Sequence, residues 1–331
     1  MPSLATTSPD GTVQDSAGVL PGATSLFGGD DLHDEGQSGG RFSLGLWLNA
    51  QRSSGLEFSF VYLSEDLISF AGSGSDMLIL ARPFFNVQRG AEDSRLIAFD
   101  GLVDGDLSIA SETDFQAYEI QLRRTASKSF GARSDWLFGF RRARLDDTLR
   151  INEQTVSLSG PTLDTNFNLF DQFATSNEFQ GGQIGIEYSG PAINCGSLGL
   201  LAKVAIGYTN SQVIISGETT TTNDAGDSTT AAGGLLTQAS NIGSFDDDEF
   251  GTLSEFGISM RRRFECGLSF NVGYTFLHWS DVARAAEQVD SRVNPTQIPP
   301  GSLTGEALPA MSFSRSDFWA QGINLGLEYR F

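Results

Sequence analysis

The 331-residue sequence has little lysine, little histidine, two cysteines and no long apolar run. Lys128 and Lys203 are the only lysines among its 21 basic residues, and the formal net charge is -20. A protein that binds nucleic acid needs basic patches that neutralise phosphate, so this composition argues against that class. No window approaches the roughly 18 consecutive apolar residues that a membrane-spanning helix needs.

The scarcity of reactive residues also argues against an enzyme. The two histidines are His33 and His278. His278, Ser280 and Asp281 lie close together in the sequence, but neighbouring residues of a strand face opposite sides, so a catalytic triad cannot assemble locally. Two cysteines are too few for a disulfide scaffold and have no metal-ligand spacing. The sequence therefore predicts neither catalysis nor a cofactor.

Glycine, at 38 residues, and phenylalanine, at 25, are abundant. From Arg41 onward, segments of about ten residues alternate apolar with small or polar side chains, which is the period-two signature of β-strands. We predict strands at 41–50, 55–63, 116–124, 183–189, 197–209, 254–264, 267–279 and 318–331, and weaker ones at 78–88, 95–100 and 133–150. No amphipathic helix of useful length is present, so the predicted fold is all-β and antiparallel.

The two faces of these strands differ in a way that indicates contact between one face and lipid. The bulky face carries no charge for whole strands, whereas the opposite face carries glycine, serine, asparagine or glutamine with an occasional arginine or glutamate. Glycines on a solvated face would weaken a soluble sheet. An up-and-down transmembrane β-barrel, with apolar side chains in lipid and small or charged ones around a wet lumen, explains both faces.

The charged and polar residues of the small-residue face are the candidate lumen-lining residues: Glu119, Gln121, Arg123, Glu187, Lys203, Arg261, Arg263, Asn271, Asn324 and Glu328. The arginines would steer anions. The alternative is that they pair with lumenal carboxylates and fill a closed barrel, because a barrel of about twelve strands is narrow inside. Arg141, Arg142 and Arg144 cannot be assigned to a face, since the alternation slips there.

The last strand has the same alternation up to the final residue. Its bulky positions are Trp319, Ile323, Leu325, Leu327, Tyr329 and Phe331. In lipid the last strand must pair with the first, because an open edge leaves unpaired backbone groups at several kcal/mol each. A C-terminal aromatic residue after alternating apolar ones also resembles the signal that the bacterial outer-membrane barrel assembly machinery recognises.

The connections predict the topology. Short turns at 50–54, 87–94, 125–132, 189–196 and 264–267 alternate with long connections at 64–77, 156–177, 217–250 and 280–315, which would be periplasmic and extracellular respectively. We count about eleven strands in residues 41–331 and predict a 12-stranded barrel. Because the count should be even, we expect this chain to lack its signal peptide and first strand, with residues 1–40 a loop or disordered segment, formerly extracellular.

This topology places Cys195 and Cys266 at the same rim of the barrel, in an oxidising compartment. An interstrand disulfide is one reading, and two unrelated thiols are the other. The acidic stretch Asp246, Asp247, Asp248 and Glu249 suits a calcium ion by its oxygens but lacks the spacing of a calcium loop, so a solvated acidic loop is favoured.

Several blocks resemble the putative β-barrel porin families of bacterial outer membranes, most closely the seventh. They are SGGRFSLGLWLN, LARPFFNV, FQAYEIQLRR, FGFRRARLDD, NEFQGGQIGIEY, VGYTFLHWSDVARAAEQVDSRVNP and SDFWAQGINLGLEYRF, which span most of the chain after residue 38. The resemblance implies a membrane barrel and supplies neither a substrate nor catalytic residues.

These observations together predict an outer-membrane barrel that acts as a passive, porin-like diffusion channel for small solutes. The alternative is a non-conducting structural or adhesion barrel that displays long acidic extracellular loops. The expected partners are outer-membrane lipid, the barrel assembly machinery and small solutes, and no nucleic acid.

Overall fold

The computed structural model describes residues 1–29, 37–191, 196–264, 267–298 and 301–329. These residues form fifteen strands and four short 3₁₀ helices, and no helix among them is long and apolar enough to cross a membrane. The strands are β1 (Ala5–Thr7), β2 (Thr24–Phe27), β3 (Gly39–Trp47), β4 (Ser54–Ser73), β5 (Ile79–Asn86), β6 (Ala91–Phe99), β7 (Val103–Ser129), β8 (Ala132–Ser157), β9 (Asn166–Ser189), β10 (Gly196–Thr222), β11 (Ser228–Ala232), β12 (Gly243–Arg263), β13 (Leu268–Val282), β14 (Arg292–Val293) and β15 (Ser316–Tyr329). The 3₁₀ helices are Gln14–Ser16, Gly160–Thr162, Ala285–Gln288 and Pro295–Gln297. The predicted all-β, antiparallel class is confirmed.

Nine of the strands form one continuous antiparallel sheet, which we call the wall. Its order is β3-β4-β7-β8-β9-β10-β12-β13-β15. The strands β7 and β10 are 27 residues long, which corresponds to roughly 90 Å of extended chain. A transmembrane strand needs only about 9–11 residues, so the wall strands are much longer than a bilayer requires.

The two ends of the wall differ in their connections. At one end, which we call the short-turn end, the strands are joined by segments 48–53, 130–131, 190–195 and 264–267. At the other, the long-loop end, they are joined by segments 74–102, 158–165, 223–242 and 283–315. Four of the five predicted short turns therefore lie on one side, whereas the fifth, at 87–94, joins β5 to β6 and does not.

The wall curls on itself. Five strands separate β3 from β12 in the wall, yet Arg41 Nη2 on β3 lies 2.6 Å from Glu255 Oε1 on β12. The rings of Phe115 on β7 and Phe318 on β15 are stacked with centroids 5.4 Å apart. Side chains from opposite parts of the sheet thus meet in an enclosed interior. Among the described residues β3 pairs only with β4, and β15 only with β13.

A small inner sheet lies inside the long-loop end. Its order is β2-β1-β5-β6, β14 pairs with β5 in parallel, and one residue pair, Phe99 with Val103, joins β6 to β7 of the wall. The segments 78–88 and 95–100, predicted as wall strands, belong to this inner sheet. β5 is buried at nearly every position, because it is covered on both faces. The prediction of about eleven strands in a single wall was therefore too high by two.

Residues 1–29 also differ from the expected loop or disordered segment. They contain β1, β2 and a 3₁₀ helix, and β1 pairs with β5. Leu4, Ala5 and Ala17 are fully buried or nearly so. The strands here are too short, at three and four residues, to show a period-two pattern in the sequence, and pairing with β5 supplies the order that the sequence does not signal.

Candidate functional site: the interior of the wall

Each long wall strand changes the polarity of its faces along its length. On β7, the outward Tyr118, Ile120 and Leu122 are exposed, and the inward Glu119 and Gln121 are buried. Toward the long-loop end of the same strand the inward residues are the buried Leu107 and Ile109, and their outward neighbours are polar. β8, β9 and β10 reverse in the same way, with inward Leu149, Ile151, Phe173, Val213 and Ile215 and outward Arg150, Gln172 and Gln212.

The reversal divides the wall into two halves. It crosses the four central strands near Gln116, Arg142, Gln180 and Asn210. We call the part toward the short turns the short-turn half and the rest the long-loop half. The short-turn half is apolar outside and polar inside, whereas the long-loop half is polar outside and apolar inside, like an ordinary water-soluble β-protein. Arg141 faces inward, whereas Arg142 and Arg144 face outward, which explains why the alternation seemed to slip there.

The outer face of the short-turn half is an apolar belt. It comprises Phe42, Leu44, Leu46, Leu56, Phe58, Tyr62, Tyr118, Ile120, Leu122, Trp136, Phe138, Phe140, Ile184, Ile186, Leu198, Leu200, Ile206, Phe256, Ile258, Met260, Phe270, Val272, Tyr274, Ile323, Leu325, Leu327 and Tyr329, all exposed. Leu325 and Leu327, predicted to face lipid, are 72% and 73% exposed. An apolar patch this large on one surface is far beyond what a soluble monomer carries.

An arginine-centred cluster lies inside the short-turn half, nearest the short turns. Arg123 on β7 contacts Glu57 of β4 at 2.7 Å, Asp135 of β8 at 3.1 Å and Glu187 of β9 at 2.5 Å. Arg133 makes a second contact to Asp135 at 2.8 Å. One guanidinium therefore joins three wall strands, because its several N–H groups can reach carboxylates in different directions.

A second cluster surrounds the fully buried carboxylate of Glu255. It receives Arg41 at 2.6 Å, Arg141 at 2.9 Å and Lys203 at 3.1 Å. Lys203 also contacts Glu119 at 2.9 Å. We call these five residues the Glu255 cluster; its three cations exceed its two anions by one. Buried charges persist only when they are paired, and here each one has an opposite charge within 3.1 Å.

Two glutamines connect the clusters. Gln183 Nε2 donates to Glu119 at 3.2 Å and to Gln121 at 3.0 Å. Gln121 Nε2 donates in turn to Glu57 at 3.3 Å. The inward polar groups of the short-turn half thus form one network across the interior, in which ion pairs fill the space that a wide pore would leave to water.

Next to this network is a cavity of 2320 Å³. Seven of the predicted lumen-lining residues border it: Arg123, Glu187, Arg261, Arg263, Asn271, Asn324 and Glu328. The other three, Glu119, Gln121 and Lys203, lie buried in the network. Arg261 Nε is 3.3 Å from Glu328, and Asn324 donates to Thr275 at 2.7 Å. The cavity also reaches the short turns through Asn49, Arg52 and Gly131.

A layer of aromatic rings lies beside the cavity toward the long-loop half. Phe115 and Phe318 border it, and Trp279 packs edge-on against Phe115 with centroids 6.5 Å apart. Phe179 makes a similar contact at 6.0 Å. Trp279 is fully buried, and its indole N–H donates to Thr209 Oγ1 at 3.0 Å. This layer uses large apolar surfaces while the one polar group of the tryptophan keeps a partner.

Beyond the rings, the long-loop half is filled by a plug, which we define as residues 1–29 with the hairpin β5–β6. Its Leu4, Leu80 and Ile97 pack with wall residues in one buried apolar cluster. Apolar side chains therefore fill much of the interior of the long-loop half, and the cavity reaches Met1 and Glu287 there.

An ionic latch fastens the plug to the wall. Arg82 of β5, fully buried, contacts Glu153 of β8 at 3.2 Å and Asp171 of β9 at 2.5 Å. Arg95 of β6 contacts Glu153 at 2.6 Å. Asp171 also accepts hydrogen bonds from the backbone N–H groups of residues 236 and 237 at 3.0 and 2.9 Å. The plug is thus tied to two adjacent wall strands and to the 223–242 loop.

The other sequence candidates do not form sites. His278 pairs with Asp317 at 3.2 Å, whereas Ser280 Oγ accepts the N–H of Thr252 at 3.0 Å. The predicted acidic loop is instead part of β12, where Asp246 and Asp248 accept from outward amides of β10. No group of metal-ligating residues occurs within the described ranges. Cys195, Cys266 and Phe331 lie outside the described residues.

Sequence reasoning missed the centre of the network. Arg41, Glu57 and Glu255 each alternate with belt residues inside predicted strands, so the period-two pattern already placed them on the inward face. Arg141 and Asp135 lie on a strand whose faces were not assigned. The latch residue Arg82 carried no signal, since it interrupts an apolar run that is buried on both faces.

Comparison with known proteins gives the family. The family model described as putative beta barrel porin-7 matches residues 1–331. The chain belongs to this family, as the resemblance of its sequence blocks indicated. No curated protein and no solved structure matches it. The family name points to a porin rather than to an enzyme.

Proposed function

We propose that this protein is an outer-membrane β-barrel that passes small polar solutes when its plug is displaced, and that is closed in the conformation described above. The observation that carries the proposal is the two-faced short-turn half: an apolar belt outside and a charged cavity of 2320 Å³ inside. An apolar outer face is stable in lipid, and a charged inner face is stable in water, so a membrane barrel suits both faces. The family name supports solute passage.

The height of the belt supports a membrane span. On β10 it runs from Leu198 to Ile206, nine residues, which cover about 30 Å of strand. A tilt of about 40° reduces this to roughly the 25 Å of an outer-membrane apolar band. The long-loop half then stands outside the bilayer, and its polar outer face meets water.

The route for a solute follows the polar network. It enters the cavity at the short-turn end, meets the arginine-centred cluster and the Glu255 cluster, and is stopped by Trp279 and the plug. The narrow, ion-paired interior selects small polar solutes, because larger ones would have to break several buried ion pairs. Opening requires movement of the inner sheet away from the wall.

The test is conductance in planar bilayers. Wild-type protein should insert and remain closed for most of the time, with brief discrete openings. Ile97, a buried residue of the plug, gives the sharper measurement: Ile97→Ala removes plug packing at a cost of about 2–5 kcal/mol and should raise the open probability at least tenfold. Ile120→Ala, on the outer belt of the wall, is the control and should leave gating unchanged.

A second candidate function is a non-conducting barrel that displays its long loops. The fully buried latch favours it, since Arg82, Glu153 and Asp171 fasten the plug through the wall strands themselves. Protein that inserts with its long loops accessible, but never conducts in either the wild-type or the Ile97→Ala form, would decide for this candidate and against the channel.

A further inference from the structure

A second pocket, of 460 Å³, opens on the outer face of the long-loop half. Its lining comes from the four adjacent wall strands β7, β8, β9 and β10. The side chains that matter below are Arg150, Asn152, Gln154, Asn168, Phe170 and Glu218, all on the outward face. The pocket is therefore separated from the cavity by the wall itself, and passage of solutes makes no use of it.

The strand register arranges this lining in two rows. One row places Gln154 of β8 beside Asn168 of β9, and the other places Asn152 beside Phe170. Phe170 lies in turn beside Glu218 of β10. Because neighbouring strands are about 4.8 Å apart, four strands make a row about 14 Å long. A row of this length can contact successive units of a chain molecule.

Arg150 fixes the orientation of two amides at the pocket. Its Nε donates to Asn152 Oδ1 at 3.0 Å, and its Nη1 donates to Gln172 Oε1 at 2.6 Å. Its guanidinium also lies over the ring of Phe170, 4.4 Å from the ring centroid. Each amide uses its oxygen for Arg150 and so keeps an N–H donor for a further partner. Donors that are held in place before binding lose little entropy when a ligand arrives.

Three further side chains of the pocket have unused hydrogen-bonding groups. Within the part of the chain that the structure describes, Gln154, Asn168 and Glu218 make no side-chain hydrogen bond. An amide offers both donors and acceptors, and a carboxylate offers acceptors. The pocket thus presents donors and acceptors side by side. Hydroxyl groups match this pattern, because each one donates and accepts.

The charges of the pocket favour a neutral ligand. Its one cation, Arg150, and its one anion, Glu218, cancel. The outward face around it is acidic and repels an anion; the acidic residues there include Asp106, Glu112 and Asp114 on β7 and Asp246 and Asp248 on β12. Apart from Phe170 the lining is polar, so a protein partner finds no cluster of apolar anchors. A neutral molecule rich in hydroxyl groups fits best.

The height of the pocket above the proposed membrane indicates where such a molecule comes from. Asn152 lies about ten residues beyond Arg142, where the polarity of β8 reverses. This corresponds to roughly 33 Å of strand and, at a tilt of about 40°, to about 25 Å of height. Lipid headgroups extend only about 5–8 Å beyond the hydrocarbon on each side. Lipid phosphates therefore stay below the pocket, whereas the sugar chain of a glycolipid reaches it.

We propose that this pocket binds a neutral segment of the sugar chain of lipopolysaccharide in the outer leaflet. Sugar hydroxyls accept hydrogen bonds from the amides of Asn152 and Asn168 and donate to the carboxylate of Glu218. The assignment to lipopolysaccharide rests on the proposed membrane position of the belt. The recognition of a neutral sugar chain rests on the pocket alone.

The probe is the uncharged fraction of the polysaccharide that mild acid releases from the lipopolysaccharide of the bacterium that carries the protein, labelled with a fluorophore. It should bind the detergent-folded protein in a fluorescence anisotropy titration. The affinity should not change with salt concentration, because no charge on the ligand is there to be screened. Absence of binding overturns the proposal. An affinity that falls steeply with salt also overturns it, since the ligand is then an anion held by Arg150.

Two double variants test the location. Gln154→Ala with Asn168→Ala removes two amides that make no hydrogen bond within the described protein, so the fold should be kept and binding of the probe should weaken about tenfold. The matched control is Asn210→Ala with Gln212→Ala, which removes the same two residue types from the outward face of β10, outside the pocket. The control should bind the probe as wild type does. Equal affinities of the two double variants overturn the location.

Two kinds of lipid vesicle test the source of the sugar. In vesicles that contain lipopolysaccharide with its whole sugar chain, the reconstituted protein should bind the free probe at least tenfold more weakly, because neighbouring chains occupy the pocket. In vesicles with lipopolysaccharide truncated to its innermost sugars, binding should equal that in detergent. Equal competition by both kinds would place the bound sugar at the membrane surface and overturn the proposal.

These outcomes are distinct from those that test the channel. Probe binding is measured without conductance, so a silent bilayer recording refutes the channel and leaves the sugar site standing. Brief openings in the bilayer together with absent probe binding refute the sugar site alone. Protein that binds the probe in detergent but does not insert into vesicles refutes the membrane position, and with it the assignment to lipopolysaccharide.

Discussion

The short-turn half and the long-loop half of the wall are built from the same strands with opposite polarity. In the short-turn half Ile120 faces outward and Glu119 inward; in the long-loop half Ile109 faces inward and Ser108 outward. A strand has only two faces, so the side on which the apolar residues lie reports the solvent at each level. The point of reversal therefore marks the expected surface of the membrane.

The halves also differ in what holds their interior together. Ion pairs and amide hydrogen bonds fill the short-turn half, whereas packed apolar side chains fill the long-loop half, with one ionic latch. Removing one partner of a buried ion pair costs the most stability, because the remaining charges stay buried without compensation. Truncating one side chain of a packed apolar interior costs less stability, because many other contacts remain.

The largest expected effect is therefore at Glu255. Glu255→Gln leaves Arg41, Arg141 and Lys203 without a full counter-charge in the interior. We expect a loss of about 3–5 kcal/mol in the free energy of unfolding, measured by urea denaturation in lipid vesicles. Glu178→Gln is the control, since Glu178 pairs with Arg142 on the exposed outer face and should cost about 1 kcal/mol or less. Similar losses in the two variants would mean that the interior is wet at the level of Glu255.

A buried leucine of the long-loop half should have the next largest effect. Leu149→Ala leaves a cavity in the apolar cluster around the plug and should cost about 2–5 kcal/mol. The matched variant is Leu122→Ala on the exposed belt, where lipid or detergent fills the space of the lost side chain. Equal losses at both positions, in the same vesicle assay, would contradict a packed plug.

A charge placed on the outer face distinguishes the two halves by their solvent. Ile120→Arg puts a guanidinium in the middle of the belt and should cost about 2–4 kcal/mol in a bilayer. Ser108→Arg, outward on the same strand in the long-loop half, should cost almost nothing, because water surrounds that level. Equal cost at the two positions would place the surface of the membrane elsewhere.

The same reversal explains which parts of the fold could be predicted from the sequence. The short-turn halves of the strands were predicted well, because a large apolar face opposite glycines and arginines has few alternative readings. The upper part of β12, which contains the three aspartates at 246–248, was read as a loop. Acidic residues lie on both faces there, since Asp246 and Asp248 point outward and Asp247, which pairs with Arg315, lies on the inward side; the sequence therefore shows no apolar face.

The contacts in the interior could not be predicted from a single sequence, for a different reason. Lys203 and Glu119 are 84 positions apart, and Arg141 and Glu255 are 114 apart. The face of each residue follows from its strand, but which strands come opposite each other depends on how tightly the wall curls. That curl depends on the number of wall strands, and the count was wrong because β5 and β6 were taken for part of the wall.

The smallest expected effect concerns the pH dependence of the long-loop end. Burial alone would raise the pKa of Asp290, but hydrogen bonds from the Arg292 side chain and from the N–H of Ala310 lower the pKa below its usual value. A carboxylate with a lowered pKa stabilises the fold above the unfolded-state pKa of about 3.9, and that contribution is lost as the pH falls through the folded-state value. Because Arg292 is largely exposed, the contribution should be about 1 kcal/mol or less.

Asp290→Asn removes this contribution and should make the 283–315 segment less stable near neutral pH. Hydrogen exchange of that segment is the measurement, since it reports local opening more directly than global unfolding does. The difference between wild type and variant should be constant above about pH 5 and shrink below about 3.9. Asp100→Asn, in the exposed turn between β6 and β7, is the control for removing one charge from the long-loop end. If the two variants behave alike at every pH, the hydrogen bonds to Asp290 do not stabilise the segment, and the packing of the plug alone orders the loops above it.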